Sequence, residues 1–179
     1  NEVLQAVTYA STNQNPPANV ILAYTFHDGF AEVNGTATVN FTPVNDAPWI
    51  DHLSTLEYLE NSGAQVIDQG APASIGDIDS ADFAGGSLTV TITVGAVGTE
   101  DVLSIRTAGT ISFDGLNVLH SGIPIGVATG GGGGNPLLVN FNGSATPVSV
   151  SALVSAVTYR NTSDVPSTVQ RLVEFQLND

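Results

Sequence analysis

Three carboxylates crowd into the segment Gly76-Asp77-Ile78-Asp79-Ser80-Ala81-Asp82. Alternate residues at a strand end project to the same side, so Asp77 and Asp79 present two carboxylates together. Two carboxylates that close repel unless a cation lies between them. Calcium suits such a pair, because it takes roughly six to eight oxygen ligands at about 2.3–2.6 Å from flexible side chains. The same aspartates also suit Asx turns that solvate a loop. Two other stretches add oxygen donors, Val44-Asn45-Asp46-Ala47-Pro48 and Leu59-Glu60-Asn61-Ser62-Gly63. Pro48 stiffens the first of these and removes a backbone donor.

Other chemistries find less in the sequence. A Ser–His–Asp triad needs a histidine between a carboxylate and an activated serine. The histidines are His27, His52 and His120, and no Gly-x-Ser-x-Gly elbow accompanies them, so the chain reads as a non-enzyme. Glu57 and Glu60 could mimic a glycosidase pair. Three residues apart in an expected strand, they face opposite ways. Gly130–Gly134 is a run of glycine with no lysine to make it a phosphate cradle, and it reads as a flexible hairpin loop. Trp49 and Tyr58 could stack on sugar rings, or close the end of a sandwich core.

Composition narrows the classes further. The chain has 179 residues, with 17 Asp and Glu against 3 Arg, no Lys and a net charge of −14. Such a surface cannot neutralise phosphates, which opposes nucleic-acid binding, and it is repelled by anionic lipid. Without lysine there is no Walker-type loop, Schiff base or Lys–Asn isopeptide bond. Without cysteine there is no disulfide or thiolate metal site. Hydrophobic residues make up 42% of the chain, as in a globular protein, and no stretch approaches the length of a membrane span. Richness in Thr, Ser, Asn, Val and Gly, with no Cys or Met, leads us to expect an extracellular protein. The absence of an initiator Met and of a signal segment leads us to expect a fragment or a processed product.

The chain repeats itself. Ala6-Val7-Thr8-Tyr9 recurs as Ala156-Val157-Thr158-Tyr159, and Thr12 and Pro16 recur as Thr162 and Pro166. One inserted residue later, Leu22, Tyr24 and Phe26 align with Val173, Phe175 and Leu177, and His27-Asp28 with Asn178-Asp179. Residues 1–45 therefore read as the C-terminal part of one repeat, and 46–179 as the next repeat without its last strand. Alternating apolar residues predict strands over 20–27, 36–42, 87–94, 102–105, 110–113, 123–128, 137–141 and 169–177. Many short strands with Gly, Asn, Asp and Pro turns predict an all-β, antiparallel Ig-like sandwich. One short helix is expected over 147–155, capped by Thr146, opened by Pro147 and burying Leu153. Its counterpart would include Glu2–Gln5.

A family resemblance enters with the acidic motifs. Asn45-Asp46-Ala47-Pro48 resembles the Asn-Asp-x-Pro linker of cadherin repeats. Glu60-Asn61 resembles their Pro-Glu-Asn motif, with Leu59 in place of the proline. Asp77-Ile78-Asp79-Ser80, followed by Leu88-Thr89-Val90, resembles their Asp-x-Asp-Ser segment and the strand after it. With Asn161-Thr162-Ser163-Asp164, the chain looks like the cadherin-like repeats of large secreted bacterial adhesins. The resemblance implies calcium at the junctions between sandwich modules. Asn45 and Asp46 would bind from the linker, Asp77 and Asp79 from the following module, and Glu60 at the far junction. Asp82, Asp28 and Asp179 are further candidates. The family's Asp-x-Glu motif has no clean match, and Glu100-Asp101 is the nearest acidic pair.

The function so implied is that of a structural repeat of an extracellular adhesin or filament on a bacterial surface. Its partners would be neighbouring repeats or other copies of the protein. Two alternatives stand beside it: a carbohydrate-binding module for cell-surface glycan, and a subunit that donates the strand at 36–42 to an open edge near 169–177 of another copy.

Overall fold

The computed structural model describes residues 2–179. It is mostly antiparallel β-structure, and the chain divides into two compact units, one ending at Asp46 and the other spanning Ala47–Asp179. The first holds a single helical turn, α1 (Glu2–Gln5), and the strands β1 (Asn19–His27) and β2 (Glu32–Asn40). These strands pair without a break from Asn19 opposite Asn40 to His27 opposite Glu32. Asp28 caps their turn: its Oδ1 accepts from Phe30 N at 2.9 Å and Ala31 N at 2.8 Å. Phe41 and Thr42, expected in the second strand, lie beyond it. The Phe41 ring instead meets Tyr9 edge-on at 6.2 Å.

The second unit runs β3 (Trp49–Asp51), β4 (Gln65–Val66), β5 (Ser74–Gly76), β6 (Ser87–Val94), β7 (Asp101–Ile105), β8 (Ile111–Phe113), β9 (Asn117–His120), β10 (Ile123–Gly130) and β11 (Leu137–Phe141). Then come α2 (Pro147–Val154), β12 (Val157–Asn161) and β13 (Leu172–Asn178). Six strands form one sheet in the order β13-β6-β11-β10-β9-β8, three form another in the order β4-β12-β7, and β3 pairs with β5. Leu88 and Val90 of β6, Val139 of β11, Leu103 and Ile105 of β7 and Val157 of β12 belong to one buried cluster between the two larger sheets. This is the β-sandwich that alternation implies. Helix α2 closes it with Val150, Leu153 and Val154. Thr146 Oγ1 accepts from Ser149 N, and Ser149 Oγ accepts from Thr146 N, a reciprocal cap on the helix.

The strand expected at 169–177 begins later, at Leu172, because Arg171 turns its side chain back onto the preceding segment. Its Nη1 donates to Ser167 O and Val169 O, both at 2.6 Å. Residues 52–64 hold no strand, so Glu57 and Glu60 are not on opposite faces of one. The glycine run forms the hairpin loop between β10 and β11, and its first turn is tied down. Leu103 N donates to Gly131 O at 2.6 Å, which ties the end of β10 to β7 across the sandwich. Gly131 has φ +85°, and a Cβ there would overlap Leu103 O. Left-handed backbone and close approach both demand glycine. Gly131→Ala should therefore destabilise the fold by about 1–3 kcal/mol, while Gly132→Ala, with open space around it, should cost much less. Urea unfolding of the two variants measures the difference.

Candidate metal centre

Strand β5 ends at Gly76 and delivers Asp77 into a tight turn. Asp77 Oδ1 accepts from Asp79 N at 3.0 Å and Ser80 N at 2.9 Å. This Asx turn sends Asp79 back beside Asp77. A third carboxylate arrives from the far end of the chain. Pairing of β13 with β6 sets Asn178 opposite Ser87 and brings Asp179 past Gly86. A Cβ on Gly86 would stand 2.8 Å from Asp179 Cα, so the approach requires glycine. Ser80 Oγ then donates to Asp179 Oδ2 at 2.9 Å.

Asp77, Asp79 and Asp179 each bring a carboxylate oxygen within 4.8 Å of the other two, and all three residues are half-buried. Ligands on opposite sides of one calcium ion lie about 4.6–5.2 Å apart, so these oxygens fit a single calcium shell. Asp77 Oδ2 is buried with no hydrogen-bond partner, a lone pair that a hard cation would satisfy. Burial raises the Asp77 pKa, but the Asp79 and Ser80 N–H groups, with the Asp79 side chain, outweigh it and hold the carboxyl below its ordinary value.

The other expected ligands lie elsewhere. Asp82 is half-buried and caps its own turn, accepting from Ala84 N at 3.0 Å. Glu60 is exposed, and its Oε1 accepts from Asn61 Nδ2 at 3.4 Å. Asn45 and Asp46 close the first unit, where Asn45 Nδ2 donates to Asp46 O at 3.2 Å. Asp28 is occupied by its hairpin turn. The aromatic candidates also have structural work. The Trp49 indole covers Gly76, and Tyr58 meets Tyr159 edge-on at 5.0 Å.

Asp101, next to the nearest match for the missing acidic motif, is committed to the interior. Its Oδ1 accepts from Tyr159 OH at 2.6 Å and Asn161 Nδ2 at 2.7 Å. Its Oδ2 accepts from Val97 N at 2.7 Å and Arg171 Nε at 3.4 Å. Burial raises its pKa, but Tyr159, Val97, Asn161 and Arg171 together bring it below the ordinary value. A second buried carboxylate, Asp68, was not among the expected residues. It accepts from Ser54 Oγ at 2.9 Å and Ala73 N at 3.0 Å and pins two irregular segments together. Neither network carried a local signal, because its side-chain partners lie 14 or more residues away in sequence.

No family model, curated protein or solved structure matches the chain. No helix among the described residues is long and apolar enough to cross a membrane.

The Asp101 network makes stability fall at both ends of the pH scale. The depressed Asp101 pKa stabilises the fold above about pH 4, and this is lost as pH falls toward the folded value. Burial, then the Asp101 hydrogen bond, push Tyr159 up to about 12. Its contribution is complete below about pH 10 and is lost as pH rises through the folded value. In urea titrations across pH, Asp101→Asn should soften the acid limb and lower the plateau by about 3–5 kcal/mol, leaving Arg171 buried without its anion. Tyr159→Phe should soften the alkaline limb. Limbs unchanged in these variants would refute the assignment.

Proposed function

We propose that this chain is a structural module of an extracellular surface protein, a non-catalytic β-sandwich that calcium stiffens. The observation that carries the reading is the convergence of the Asp77, Asp79 and Asp179 carboxylates, whose oxygens lie within 4.8 Å of one another. The ion would neutralise this charge and clamp the β5 turn to the end of β13. The resemblance of the acidic motifs to cadherin-like repeats, the internal duplication and the lysine-free acidic composition all support a role as a spacer in a tandem array on a bacterial surface. Asn45 and Asp46 belong to the linker motif in this reading. Asp82 and Glu60 are assigned to turns.

Thermal unfolding in calcium, in magnesium and in chelator tests it. Binding to the folded state stabilises by RT ln(1 + [L]/Kd), about 2.7 kcal/mol at a hundredfold excess over Kd. A rise of several degrees in calcium is expected, a smaller one in magnesium, and neither in Asp77→Asn/Asp79→Asn. No shift at about 10 mM calcium, well above the range for extracellular modules, would remove the cation from the reading.

One observation favours glycan binding as a second reading. The second unit holds a cavity of about 670 Å³, with Tyr58, Tyr159, Asn161 and Gln170 among its walls, a volume within the range of small-molecule sites. Glycan binding that survives chelation and is lost with Gln170→Ala would move the assignment there.

A further inference from the structure

Four asparagines begin an Asn-x-Ser/Thr triplet: Asn34-Gly35-Thr36, Asn40-Phe41-Thr42, Asn142-Gly143-Ser144 and Asn161-Thr162-Ser163. The triplet is the acceptor pattern for N-linked sugar, and the reacting atom is the carboxamide nitrogen. The fold consumes that nitrogen in two of the four. Asn142 Nδ2 donates to Pro124 O at 2.9 Å, and its Oδ1 accepts from Ser144 N at 2.8 Å. Asn161 is buried, its Nδ2 donates to Asp101 Oδ1 at 2.7 Å, and its Oδ1 accepts from Ser163 N at 2.8 Å. A sugar on either nitrogen would displace a hydrogen bond that holds the sandwich.

The other two triplets lie on β2 and its end. Asn34, Thr36, Thr38 and Asn40 alternate along the strand, share one face and are all exposed. Opposite them on β1 stand Thr25, Ala23, Ile21 and Asn19. The duplication identifies this face as the outer one of a packed repeat. It aligns Ile21, Ala23 and Thr25 with Leu172, Glu174 and Gln176, which are exposed on β13. The residues between them, Leu22, Tyr24 and Phe26, align with Val173, Phe175 and Leu177, which belong to the sandwich core or pack against it. The middle residues of the triplets turn to that apolar side. A Cβ on Gly35 would stand 2.9 Å from Tyr24 Cε2, and the Phe41 ring meets Tyr9. Thr25 Oγ1 donates to Asn34 Oδ1 at 2.5 Å, so the Asn34 oxygen faces β1 and its nitrogen faces away from it. Thr42, the hydroxyl residue of the second triplet, is exposed.

We propose that Asn34 and Asn40 are acceptor sites for N-linked sugar, and that Asn142 and Asn161 are not. The donor is a glycosyl diphosphate, used by a separate asparagine glycosyltransferase. The carboxamide nitrogen bonds to the anomeric carbon of the sugar. The bond from that carbon to the diphosphate oxygen breaks, the diphosphate leaves with the electron pair, and the nitrogen releases one proton. An attached sugar is bulky and needs open surface. Six residues of strand span about 20 Å, so sugars on Asn34 and Asn40 stand apart on one face and leave the apolar face untouched.

The test treats the folded full chain in two arms. One uses a soluble asparagine glycosyltransferase with a nucleotide-diphosphate hexose, the other a membrane oligosaccharyltransferase with a lipid-diphosphate oligosaccharide. Peptide mapping by mass spectrometry reads the sites. Sugar is expected on Asn34 and Asn40 in at least one arm, which identifies the donor, with Asn142 and Asn161 bare. Thr36→Val should remove the sugar from Asn34 alone, and Thr42→Val from Asn40 alone. Asn34 and Asn40 left bare in both arms overturn the proposal, and modification of a free peptide of residues 29–45 beside a bare chain would place the obstacle in the hairpin. Equal modification of Asn142 or Asn161 overturns the distinction that the fold draws among the four.

Discussion

Leu88 and Val90 fix the register from which the second unit follows. Both are fully buried on β6, and β6 is paired on both edges. Leu88 lies between Val139 and Leu177, and Val90 between Leu137 and Phe175. Two apolar rows therefore cross three strands on one face. A slip of one residue in either neighbour would turn its apolar row toward water, so the pairing is tightly determined. The acidic cluster inherits that determination. Ser87 is opposite Asn178, and Asp179 thus arrives beside Gly86 and the Asp77 turn. A packing constraint deep in the sandwich places a carboxylate at its edge.

The same reasoning explains which parts of the fold were legible in the sequence. Strands 87–94 and 137–141 are found with the expected bounds, because strict alternation between turn residues admits little else. The helix over Pro147–Val154 is found with its cap, since Thr146, Pro147 and Leu153 agree on one answer. β12 escaped notice as a strand. It is buried almost throughout, so it shows no alternation, and it follows α2 almost directly. β3, β4 and β5 are only two or three residues long, too short for any period to register.

The site was legible by halves. Asp77 and Asp79 are neighbours as expected, but an Asx turn beyond the end of β5, and not strand alternation, brings them together. Asp179 entered the sequence reading only as a further candidate, because what brings it there is sheet register. Asp82 and Glu60 carry the right chemistry but find nearer partners, Ala84 N and Asn61 Nδ2. Asp101 shows the opposite case, a carboxylate so fully supplied with donors that it has no lone pair to offer an ion. What an aspartate does here is set by which donors and carboxylates the fold brings to it, not by its residue type. Asp28 and Asp179 illustrate this at aligned positions: one is consumed by a hairpin turn, and the other meets two carboxylates.

The double pairing of β6 also has a temporal side. Its partners β11 and β13 lie far along the chain, so β6 emerges from the ribosome well before either. Non-local ladders of this kind fold slowly, because loop closure precedes the reward. The nascent chain carries a bare apolar strand until residues 137–141 dock, and an incomplete acidic turn until Asp179 follows. Residues 172–179 finish both the sheet and the carboxylate cluster, so a ribosome that stalls before residue 172 holds a sandwich with β6 exposed along one side.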